Sequence, residues 1–210
     1  LERESKYKIA HRYYDKDFKI FRIEPEIVAY VNWLSPIIKQ RYSKPISDEQ
    51  VINGFIGQEL FAGLLLQYKI PNVYANPLYK DYKLMRQISE KHFDIFIPSL
   101  PKGKQYISIK TVQEGSNYIR FMANAGDWKN EIHDIVVVMK LDNMQEKRAH
   151  IAGWLTTEEV EGLPINNYGA YWTYLDEKSV EQHNLDSTDK LTSLHEPLPL
   201  IDQLLELANE

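Results

Sequence analysis

The sequence predicts a mixed α/β domain of one unit. Three observations predict it. An apolar helical segment opens on a capping pattern at Ser47. Two short apolar runs at 92–97 and 104–111 are joined by the turn PSLPKG. The run IVVVM at 135–139 is continuously β-branched or apolar, the mark of a central strand covered on both faces. The order is helix, several strands, a connecting segment, strands and a helix. It excludes a strictly alternating doubly wound sheet.

Taken in order, residues 1–23 are mixed in charge and rich in Tyr, and read as an irregular or partly helical arm. EPEIVAYVNWLSPIIKQRY at 24–42 predicts a helix opened by Pro25 and broken or kinked at Pro36. SKPIS is a connector. SDEQ from Ser47 is a capping box with Gln50 at its third position, so a helix should run from Asp48 to Tyr68. IPNVYANPLY at 70–79 carries Pro and Asn punctuation and room for one short strand. Residues 113–131 mix polar and aromatic types and leave room for a short helix. After IVVVM, a turn at Asn143–Gln145 leads to a strand in AHIAGWL. Thr156 opens a second capping box, TTEE, and a short helix. YWTYL at 171–175 suggests a late strand, and EPLPLIDQLLELANE an amphipathic closing helix.

The 210 residues suffice for one sizeable core. A net charge of -5 argues against indiscriminate coating of nucleic acid and leaves room for a local basic groove. With no cysteine there are no disulfides and no thiolate metal sites. The opening residues hold no signal-type apolar core, and no apolar run approaches the ~20 residues of a membrane span. A soluble, cytoplasmic protein with no membrane partner is therefore expected.

Two anomalies carry the functional reading. Along a strand, side chains alternate faces. Phe93, Ile95 and Ile97 share one face of the first run, and His92, Asp94 and Phe96 the other. Ile107 and Ile109 share one face of the second, and Tyr106, Ser108 and Lys110 the other. A short turn makes the two strands antiparallel neighbours, which puts Asp94 and Lys110 on the same face. On the helix, Phe55, Ile56, Ala62, Gly63 and Leu66 surround Glu59 at helical spacing, so Glu59 sits within the apolar stripe. A carboxylate there is costly unless it is paired or holds a metal. Convergence of Glu59, Asp94 and Lys110 would account for both anomalies. Two carboxylates suit a hard cation such as Mg²⁺, with Mn²⁺ as substitute. The carbonyl of Ile109 could supply a further ligand. Such a cation activates water and stabilises charge on a phosphoryl oxygen, and a lysine beside it neutralises the transition state.

A helix glutamate, a strand aspartate, a turn and a next strand ending in acidic-x-Lys resembles the PD-(D/E)xK nuclease superfamily, the restriction-endonuclease-like fold. The resemblance covers residues 50 to about 155. It implies a single nuclease-like domain over 1–210, a restriction-endonuclease-like core with a central mixed β-sheet flanked by α-helices, with an arm and helix at 1–46, a catalytic core at 47–155 and closing strand and helix elements at 156–210. It implies a metal-dependent endonuclease acting on DNA, with Glu59 and Asp94 on the metal and Lys110 assisting water. Its members often cut both strands as dimers, which admits a homodimer here, although nothing in the sequence marks a dimer face. Two positions depart from the pattern. Phe93 stands where the family has proline, and Ser108 stands in the place of the motif acid. The second departure keeps open a catalytically inactive module that binds DNA or a protein partner.

Other polar residues are weighed singly. Ser108 would hydrogen-bond Asp94 or a water, and Gln113 would touch a phosphate or the attacking water if it is not an ordinary surface residue. His92, His133 and Asp134 read mainly as structural. No HxxxH or HExxH spacing points to zinc. Lys80, Lys83, Arg86, Lys102, Lys104, Arg120 and Lys129 are the cations offered to a nucleic-acid backbone.

Overall fold

A computed structural model of the chain describes residues 14–15, 20–39, 47–74, 92–122, 128, 131–143 and 147–207. Its elements are β1 (Tyr14–Asp15), β2 (Ile20–Arg22), α1 (Pro25–Lys39), α2 (Asp48–Gln67), β3 (Val73–Tyr74), β4 (Ile95–Phe96) and β5 (Tyr106–Val112). They continue as β6 (Tyr118–Phe121), β7 (Ile135–Asn143), β8 (Arg148–Thr156), α3 (Thr157–Glu161), β9 (Tyr171–Tyr174), α4 (Glu177–Asp186) and α5 (Pro197–Leu207). The protein is α/β, with a mixed sheet and helices. It divides into two compact units. One holds Leu1–Ile70, Ile109–Gly115 and Val138–Ile151; the other holds Pro71–Ser108, Ser116–Val137 and Ala152–Glu210.

In the first unit the strands run in the order β1-β2-β8-β7-β5. β1 pairs antiparallel with β2, and β2 with β8 through Phe21↔Ala149 and Arg22↔Arg148. The described part of the N-terminal arm is therefore strand, not helix. α1 runs through Pro36 without ending there. Pro36 lies in the last turn, where its missing N–H removes one helical bond close to the end, and its ring is exposed. α2 opens as expected. Ser47 Oγ accepts from the Gln50 N–H at 3.1 Å, and Gln50 Oε1 accepts from the Ser47 N–H at 3.2 Å. Burial extends round most of α2, from Val51 and Asn53 to the continuous run Leu60–Leu65. A helix apolar on all sides packs on more than one neighbour, here α1 and the strands. It comes close to the sheet at Gly57. A Cβ there would lie 2.1 Å from Thr111 Oγ1 on β5 and 3.4 Å from Met139 Cβ on β7.

In the second unit the order is β8-β7-β5-β4-β3. β3, β4 and β5 are antiparallel neighbours. The Asp134 N–H, one residue before β7, donates to the carbonyl of Tyr106, the first residue of β5, at 2.8 Å. Those two strands start from the same end and run parallel, which makes the sheet mixed. The Asp134 carboxylate adds a clamp: its Oδ2 accepts the N–H of Gln105 at 2.8 Å and of Tyr106 at 3.0 Å. Ile135–Met139 are fully buried, as a strand covered on both faces requires.

Within 113–131, where the sequence leaves room for a short helix, residues 118–121 form the strand β6 and Trp128 is helical. β6 pairs with β9 in a separate two-stranded ribbon, from Tyr118↔Tyr174 to Phe121↔Tyr171. α3 carries the second capping box, with the Thr156 N–H donating to Glu159 Oε2 at 2.8 Å and the Glu159 N–H to Thr156 Oγ1 at 3.2 Å. His195 closes on the same carboxylate, with its Nε2 2.7 Å from Glu159 Oε1. It also bridges the backbone of Trp154 and stacks on that ring at 4.4 Å. Gly153, at φ 158°, makes this possible, because a Cβ there would lie 2.6 Å from Leu194 Cβ and 2.7 Å from the His195 carbonyl oxygen.

Candidate active site

The turn between β4 and β5 sets the register. The Ile97 N–H donates to the Gln105 carbonyl at 2.9 Å, and Gly103 takes φ 83° at the bend, a conformation open to glycine. Ile95 faces Ile107 and Phe96 faces Tyr106. Continued by one residue, this register sets Asp94 beside Ser108. The Ser108 hydroxyl donates to Asp94 Oδ2 at 3.2 Å. The apolar partners, Phe93, Ile95, Ile97, Ile107 and Ile109, are all buried, as the alternation requires.

Asp94 is half-buried and Ser108 only 2% exposed. One rung away on the same face, the rings of Phe96 and Tyr106 meet at 4.9 Å. Two half-buried aromatic rings thus lie next along the face from the carboxylate. A buried hydroxyl, held in one place by the strand, orients it. Charge on a carboxylate so placed is strengthened toward any cation by the reduced access of water.

Asp94 and Ser108 belong to the second unit and are brought together there. Ile109 and Lys110 follow directly on β5 and belong to the first, as does Glu59 on α2. Ile109 is buried; Lys110 and Glu59 are half-buried. Ser108 and Lys110, two residues apart on one strand, project to the same strand face. Gln113 is exposed just past the end of β5. Lys102 and Lys104 are exposed in the hairpin turn. Arg120 is exposed on β6, where its Nη2 donates to the Tyr118 hydroxyl at 2.7 Å. Lys80, Lys83, Arg86 and Lys129 lie outside the described residues.

The residues read as structural have backbone or packing work. Residue His92 accepts the Ile132 N–H on its carbonyl at 2.7 Å and forms a parallel bridge with Glu131. His133 is buried, with Nδ1 2.8 Å from Thr157 Oγ1 and its ring 4.0 Å from that of Trp128. The Asp134 clamp had no sequence signal, since it grips N–H groups 28 and 29 residues away.

No family model matches the chain, and no curated protein and no solved structure is significantly similar to it. No described helix is long and apolar enough to cross a membrane.

Proposed function

We propose that the protein is a Mg²⁺-dependent endonuclease that hydrolyses phosphodiester bonds in DNA, on a restriction-endonuclease-like core. The observation that carries the reading is the Asp94–Ser108 pair: a half-buried carboxylate oriented by a buried hydroxyl at 3.2 Å on a strand that continues into Lys110. Among the described residues no three His, Cys, Asp or Glu side chains cluster as a metal cage. Mg²⁺ does not need one, because it takes one or two carboxylates and fills its shell with water and substrate phosphate. Asp94 would be one such carboxylate, and the Ile109 carbonyl is carried as a further ligand from the sequence reading alone. Glu59 is carried as a second carboxylate on the resemblance alone.

When bound, Mg²⁺ supplies Lewis acidity toward a phosphoryl oxygen and toward water. The chain's own residues do the rest. Ser108 holds Asp94 in one rotamer by its hydrogen bond. Phe96 and Tyr106 pack ring to ring next along the same face. Lys110 offers a positive charge to the phosphoryl group as negative charge builds on it.

The test is nicking of supercoiled plasmid with Mg²⁺, Mn²⁺ or EDTA. Metal-dependent nicking should fall at least a hundredfold in Asp94→Ala and in Lys110→Ala, with unchanged circular dichroism. Glu59→Gln separately tests the helix carboxylate. Unaltered cleavage by the Asp94 variant would remove the reading. A second reading has its own observation: Ser108 presents a hydroxyl, not an acid, and donates it to Asp94. It makes the chain a cleavage-silent module that binds DNA or a protein. It predicts no nicking with any metal, no Asp94-dependent Mg²⁺ or Mn²⁺ binding by calorimetry, and a gain of cleavage in Ser108→Glu.

A further inference from the structure

The β6–β9 ribbon has one buried face and one half-open face, where α4 sets His183 against Trp172 and Tyr174. Ile119, Phe121 and Thr173 are buried on the first, and Thr173 Oγ1 donates to the Thr192 carbonyl at 2.8 Å. Directly opposed residues of an antiparallel pair share a face. Tyr118 with Tyr174 and Arg120 with Trp172 therefore make up the other face. The rings of Trp172 and Tyr174 stand 5.4 Å apart, edge to face, and the ring of His183 on α4 props Trp172 at 5.2 Å. Tyr168, on the loop before β9, is 74% exposed, although burial of its ring would be favourable. Beside this half-open face Met122 is also exposed, at 48%. On and beside this face Tyr168 is exposed and Tyr118, Trp172 and Tyr174 are half-buried, so aromatic surface remains open to a ligand there.

What sits at its centre identifies the ligand. The Arg120 guanidinium lies 4.9 Å from the Tyr118 ring centre and 5.3 Å from the Tyr168 ring centre. Its side-chain hydrogen bond goes to the Tyr118 phenol, and no carboxylate is found in ion-pair contact with it among the described residues. A planar cation is thus held among π faces with donors left for an anion. That combination matches a planar base joined to a phosphate. Bases stack on aromatic rings and on guanidinium planes, and Arg forks to phosphate oxygens. A duplex hides its base faces, so the match is to unpaired nucleotides.

We propose that the half-open face of the β6–β9 ribbon binds single-stranded nucleic acid, with bases stacked on Tyr168 and Tyr118 and a phosphate on Arg120. The site is independent of cleavage, because it contains none of the residues assigned to that chemistry and binds without metal.

The experiment is fluorescence anisotropy in EDTA with a labelled oligo(dT) of about 15 nucleotides, within the range that single-strand binders cover. Competitors are the matching duplex and an abasic strand of the same length. The full-length chain should bind oligo(dT) at least tenfold more tightly than duplex or abasic strand. Tyr168→Ala and Arg120→Ala should each weaken binding about tenfold. Both side chains are exposed, so folding is not at issue, and Arg120→Lys, which keeps charge but loses the planar fork, should recover only part. Equal binding of abasic strand and oligo(dT), or wild-type affinity in both alanine variants, overturns the proposal. So does absence of binding; self-association by sedimentation that Tyr168→Ala abolishes would then assign the face to a second copy of the chain. Loss of plasmid nicking with oligo(dT) binding intact would strike at the nuclease reading alone.

Discussion

Replacing Asp134 by alanine should destabilise the protein by about 2–4 kcal/mol, with no change at the candidate active residues themselves. Its Oδ2 accepts two consecutive backbone N–H groups, at 2.8 Å and 3.0 Å, where β5 begins. A hydrogen bond to an ionised acceptor contributes roughly 1.5–3 kcal/mol net, and a buried N–H left unmade costs a similar amount. Asp134 is half-buried, so water recovers part of each loss and about 1–2 kcal/mol per bond is the fitting share. Asp134→Asn keeps a carbonyl that can accept both N–H groups and should lose only about 1 kcal/mol, since it forgoes the charge alone. Urea denaturation followed by tryptophan fluorescence reads the midpoint, and an unchanged slope shows that the unfolded state is unaltered. An Asp134→Ala midpoint equivalent to less than about 0.5 kcal/mol would refute the clamp, because that is the ordinary scatter of surface substitutions.

Gly153→Ala should cost about 2–4 kcal/mol by the same assay, above the usual 1–3 of overpacking, because its Cβ would meet the rigid His195 carbonyl and Leu194 at once; a loss below about 1 kcal/mol would show that the 194–195 segment yields freely. Glu159 gives a pH dependence. Burial pushes its carboxyl up, but hydrogen bonds from the Thr156 N–H, the His195 ring and the Thr156 hydroxyl, with the charge of His195, outweigh this and hold it below the usual glutamate value. A depressed carboxyl contributes stability that is complete above the unfolded-state pKa and is lost as pH falls through the folded-state value. Urea midpoints measured from neutral pH down through the carboxylate range should therefore fall less steeply in Glu159→Gln than in wild type, and parallel curves would rule this out.

Local signals made much of the fold legible. The capping boxes at Ser47 and Thr156 each rest on a side chain three residues away, and both formed as read. The IVVVM run needed only its own composition to be placed as a fully buried strand. The hairpin faces followed from alternation, and with them the Asp94–Ser108 hydrogen bond. What stayed hidden depended on distant partners. β6 is a strand because β9 lies beside it, more than fifty positions on in the chain. α4 buries Val180 as its sole buried residue and so has almost no periodicity to show, although Asp176 caps it by accepting the Ser179 N–H at 2.8 Å. Pro36 does not break α1, which continues to Lys39. Arg120 could be named from sequence as a cation, but not as one stacked between two tyrosines, because Tyr168 reaches it from a separate loop.

The unbroken buried run Ile135–Met139 of β7 has a consequence for the protein's behaviour over time. Strands are paired along both of its edges, and side chains from Ile135 to Met139 are shut away from solvent. No small fluctuation of a loop or terminus can admit water to those amides. They should exchange their hydrogens only when the fold opens globally, while exposed segments such as the hairpin turn at Lys102–Lys104 exchange through local opening. Deuterium retained in this one strand would then serve as a clock for complete unfolding, one that a protease acting on the surface does not read.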